Sequence, residues 1–133
     1  GHRSGIRVYG EQRGSAVGDL NGDGRPDMIV AHSKARPRLY LNTLGQTGLR
    51  LSLSGPTGNP LGQGATARAV FADGFKGAAR LVGGNSGRYS QSAAGQTLGG
   101  AKRIRSVEVA WPSGITSRVN VSDTTKPLII EAN

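Results

Sequence analysis

Cysteine is absent from the 133 residues, which excludes a disulfide framework and any thiolate metal site. Aromatics make up only 5% and do not cluster with Lys or Arg, so a stacking groove for single-stranded nucleic acid is not expected. His2 and His32 are the sole histidines, and neither falls beside a Ser/Asp pair in sequence, leaving little to support a His-based triad. No apolar run approaches the roughly 20 residues of a membrane span. No secretory leader is visible, and a start on Gly1 rather than Met reads as a cut from a longer protein. Acidic residues are scarce, 8 against 17 Lys and Arg, for a formal charge of +9. The basic residues are dispersed singly, which implies weak attraction to polyanions more than a specific site.

Glycine, by contrast, is abundant: 22 residues, with 6 prolines and a hydrophobic share of 35%. That balance suits many short strands joined by tight turns, in a chain long enough for one real core. Period-2 alternation recurs and helical periodicity does not. Leu49, Leu51 and Leu53 oppose Arg50, Ser52 and Ser54, while Val107, Val109 and Trp111 oppose Ser106, Glu108 and Ala110. Further strands are expected near 16–17, 27–32, 38–42, 65–72, 78–82, 117–121 and 127–132. Turn signals separate them at GPTGNP (55–60), DG (73–74), GGNSG (83–87) and PSG (112–114). The expected class is all-β, a sandwich or barrel. The chain divides near residue 45, into an N-terminal unit over 1–45 and a strand-rich unit over 46–133.

Within the first unit, DLNGDGRPD holds three of the eight acidic residues, Asp19, Asp23 and Asp27. Carboxylates so close repel unless a positive charge sits among them. Calcium takes six to eight oxygens, and a loop supplies them from alternate residues. Asp19, Asn21 and Asp23 stand at positions 1, 3 and 5, the Arg25 carbonyl at 7 and Asp27 at 9. Gly24 at position 6 permits the sharp turn. An EF-hand needs a bidentate Glu at position 12, where this chain has Val30, and a strand pattern follows the loop rather than a helix. The expectation is one Ca2+ in a loop between β-strands.

GDLNGDGRPDMIVAHS followed by RLYLNT resembles one FG-GAP (integrin-type β-propeller) repeat. That resemblance implies the same five ligand positions, Asp19, Asn21, Asp23, Arg25 through its carbonyl, and Asp27. Downstream, the GNP turn, ADG, the Y-SQS segment, LGGA and VEVAWPSG resemble the ASPIC/UnbV domain. Such a module usually closes secreted FG-GAP proteins, including those related to cartilage acidic protein. The chain departs from the family pattern in GQGATARAV, GGNSGRY and the short QTLGG. The resemblance implies a binding or structural role and no reaction.

Other features read more plainly. GQGATA (62–67) fits a phosphate-loop spacing, but strand-like residues follow it, so it is a turn. Trp111 in WPSG packs in the core by default, with sugar stacking as the alternative. Tyr89 and Gln91 are the better candidates for an exposed ligand surface. Asn120-Val121-Ser122 is a glycosylation sequon inside a strand pattern.

Taken with that resemblance, which implies secretion and no reaction, these residues lead to the expectation of a non-enzymatic, secreted, calcium-binding β module for adhesion, matrix or carbohydrate contact, or self-assembly into a filament. The alternative is a basic polyanion- or polysaccharide-binding module, and a third class is an accessory to a biosynthetic pathway. Other protein chains, a second copy included, are the expected partners; nucleic acid and a membrane span are not expected.

Overall fold

The computed structural model describes residues 4–83, 90, 92, 94–99 and 102–132. Ten strands form among them: β1 (Gln12–Gly18), β2 (Asp27–His32), β3 (Arg38–Tyr40), β4 (Leu49–Ser54) and β5 (Thr66–Phe71), then β6 (Arg80–Leu81), β7 (Gln96–Leu98), β8 (Ile104–Ala110), β9 (Thr116–Asn120) and β10 (Leu128–Glu131). No helix forms among the described residues, and none is long and apolar enough to cross a membrane. The strands make three open sheets, ordered β1-β2-β3, β10-β4-β7 and β6-β5-β8-β9.

The second and third sheets enclose one core. The three leucines of β4 are buried, as their alternation predicts, and β10 and β7 add Ile130 and Leu98 beside them. Opposite stand Ala67 and Ala69 of β5 with Val107 and Val109 of β8, paired across the register. Small alanines facing large leucines let the two layers approach closely, which is how interiors reach crystal-like density. Trp111 caps this sandwich-like core where β8 ends, and a turn from Trp111 to Gly114 follows.

Some expected elements are shorter, for local reasons. Of the strand expected over 78–82, Arg80–Leu81 pairs with β5, and Val82 continues the contact by donating its amide to the Ala65 carbonyl at 2.8 Å. The strand expected over 38–42 stops at Tyr40, since Asn42 N–H turns to the Asp27 carboxylate instead of a ladder partner. Ser106, expected on the solvent face, is fully buried: the Arg118 guanidinium covers it, with Nε donating to Ser106 Oγ at 3.2 Å.

The first sheet is separate but docked. The edge amides of Ser15 and Val17 on β1 donate to Ser90 Oγ and Ser92 Oγ. The segment before β1 lies back on the same sheet, its Arg7 carbonyl accepting from Tyr40 Oη at 2.7 Å and Arg38 Nη1 at 3.1 Å. So the chain itself covers the β1 edge of the sheet, and β3 forms its other edge.

Candidate functional site

The β1–β2 connection carries the acidic loop, and backbone conformation shapes it. Gly22 and Gly24 both adopt positive φ, 79° and 82°, a region side chains rarely enter. Gly24 also has a close neighbour: a Cβ there would lie 3.2 Å from the Gly48 carbonyl oxygen. The Gly48 amide donates to the Gly24 carbonyl at 2.9 Å, and Arg25 Nε donates to the Gly45 carbonyl at 2.6 Å. The loop is thus fastened to the segment that leads into β4.

Each acidic side chain has protein partners. Asp19 Oδ1 accepts from the amides of Gly22 and Asp23, and Oδ2 from that of Gly24. Asn21 Oδ1 accepts from Asp23 N–H. Asp23 accepts from the Arg25 amide at 2.8 Å and from its guanidinium at 3.1 Å. Those contacts, the Arg25 amide first, with the Asn21 side chain, hold the Asp23 carboxyl below its usual range against the opposing effect of burial. Asp27 is 1% exposed, and its two oxygens accept from Leu20 N–H and Asn42 N–H. Arg50 Nε stands 4.0 Å from Asp19. Two protein cations, Arg25 and Arg50, therefore share the field of three carboxylates.

By chemistry the donor set suits a hard cation, since all its side-chain ligands are oxygens on one turn. By arrangement those oxygens are turned to the loop's own amides. Among the described residues no three His, Cys, Asp or Glu side chains group as metal ligands. An ion entering here would compete with the Arg25 guanidinium for Asp23.

Elsewhere the candidates separate. Trp111 is 5% exposed and donates from Nε1 to Ser117 Oγ at 2.9 Å, so its ring packs and is not open to a sugar. Tyr89 and Gln91 lie outside the described residues. His32 ends β2 in the first sheet, and its buried Nε2 has no hydrogen-bond partner among the described residues. The charges on the outer face of the third sheet form a register-matched row, Arg68, Glu108 and Arg118 across β5, β8 and β9. Lys76 Nζ, 2.9 Å from Glu108, and then the neighbouring arginines hold that carboxyl below its usual range.

Sequence reasoning missed Asn42, Gly45 and Gly48, which receive or anchor the loop. Their one signal is the run of Asn and Gly between β3 and β4, which reads as an ordinary turn.

Residues 55–133 match the family described as ASPIC and UnbV, and the chain belongs to that family. A comparison with curated proteins finds no match.

Proposed function

We propose that this member of the ASPIC and UnbV family is a non-enzymatic, secreted binding module whose N-terminal sheet is an FG-GAP-type repeat holding one Ca2+. The observation that carries the reading is the loop itself: Asp19, Asn21, Asp23, the Arg25 carbonyl and Asp27 on a single turn with two left-handed glycines. Because Gly24 and Arg25 bond to Gly48 and Gly45, an ion held there would clamp the first sheet against the entry to the sandwich.

Binding to the folded form alone stabilises it; calcium at a hundred times Kd adds about 2.7 kcal/mol, or about 10 °C in Tm for a domain of this size. Thermal melts in calcium and in EGTA read this out. Asp23→Ala removes most of the gain, and Asp23→Asn part of it. Equal melting temperatures in calcium and EGTA would overturn the calcium reading.

Self-assembly is the second element of the proposal. Ile29 and Leu39 pair on one face of the first sheet, 37% and 53% exposed, and Leu41, just past β3, is 49% exposed. Beside them the β3 edge has no partner strand among the described residues, and an open edge next to an apolar face invites pairing with another copy. Light scattering at micromolar concentration should show particles larger than the 13.7 kDa monomer, and Leu39→Lys should return them to monomers. A monomer at every concentration removes self-assembly from the function.

A further inference from the structure

We infer that the cleft between the first sheet and the sandwich binds a hydroxyl-rich monocarboxylate, a sugar acid of the uronate type. The cleft has a volume of about 610 Å³, within the range of small-molecule sites and ample for one or two sugar rings. Its described lining contains a single charged side chain, Arg80, and no carboxylate.

Arg80 is exposed on the two-residue strand β6 and makes no ion pair among the described residues. A lone guanidinium facing a cleft free of acids selects one carboxylate and can grip it with two parallel N–H donors. Around it stand three carboxamides, Asn42, Gln46 and Gln96. Each amide offers both donor and acceptor, the combination that a sugar hydroxyl matches. Asn42 is already oriented, because its Oδ1 accepts from the Gly45 amide at 2.8 Å, which leaves its NH2 group for a ligand. Val17, Pro26 and Leu81 add apolar surface to the lining, Val17 and Leu81 being 46% and 66% exposed. Their exposure is what the C–H face of a pyranose covers. Charge, hydroxyl partners and apolar wall together match a uronate better than a neutral sugar or a bare carboxylate.

Calorimetric titration of the whole chain with glucuronate and with digalacturonate tests this, beside glucose and acetyl-dialanine, in calcium and again in EGTA. The two metal conditions separate a failure here from a failure of the calcium reading, since the cleft uses none of the five loop ligands. The uronates should bind, and glucose should bind at least about tenfold more weakly. Arg80→Gln should weaken uronate binding about ten- to hundredfold, the worth of a charge-assisted pair, with Arg80→Lys in between and unchanged thermal melting. Gln46→Ala, in an exposed connection, should weaken uronates and leave acetyl-dialanine unaffected. Binding by Arg80→Gln at the native level, or equal affinity for glucose, overturns the inference. Tighter binding of acetyl-dialanine overturns it in favour of a peptide carboxylate, and no uronate binding at millimolar concentration overturns it outright.

Discussion

Trp111→Ala is expected to lower stability by about 3–5 kcal/mol, the usual toll of emptying an aromatic site in a core. The ring is buried beside Leu53, and Gly62 passes so near that a Cβ there would stand 3.1 Å from the indole and 2.9 Å from Leu53. Such close packing leaves no neighbouring side chain free to collapse into the vacated space. The truncation also strips Ser117 Oγ of its indole donor. Trp111→Phe keeps most of the apolar contact and loses the hydrogen bond, so its effect should be much smaller. Urea denaturation of both variants measures the difference. A Trp111→Ala protein as stable as the parent would show that the indole is not a core residue.

Asp27→Ala is expected to cost about 2–5 kcal/mol, and to do so in EGTA as well as in calcium. Its carboxylate bridges two chain segments, Leu20 at the loop entrance and Asn42 after β3, through their amides. Removing it leaves two N–H groups of part-buried hydrogen bonds without their acceptor, where a fully buried donor left unpaired costs about 1–3 kcal/mol. Asp27→Asn retains one good acceptor and should fall between. The comparison with Asp23 is the informative one. Asp23 is partly exposed and should matter through calcium, whereas Asp27 should matter with or without it. Denaturation in EGTA decides: an Asp27→Ala chain of parental stability there would leave that carboxylate with a ligand role alone.

That division of labour among the acids was not legible in the amino-acid order. Asp19, Asp23 and Asp27 look equivalent in DLNGDGRPD, and only the fold sets Asp27 against a distant amide, that of Asn42. The alternation of Leu49, Leu51 and Leu53, or of Val107 and Val109, was legible because one buried face imposes a strict period of two. Ser106 broke the pattern because a long Arg118 side chain from the neighbouring strand lies over it, an event between strands that no single strand encodes. Arg80 and Gln96 were invisible as a site for the same reason: they meet only when two sheets and a connection come together.

β10 runs parallel to β4, with Leu128 opposite Leu51 and Ile130 opposite Leu53, and Ala132 donating to Ser54. Every other strand of the sandwich lies between those two in the chain. The layer that carries the leucines is therefore finished by residues that follow every other strand of the sandwich in the chain. Until they arrive, that flank of β4 is open, and closing so long a loop is entropically slow. Closure of the sandwich beside β4 therefore waits on β10. A nascent chain stalled before Leu128 exposes an adhesive ribbon of leucines, the state in which chaperone capture or misassembly is to be expected.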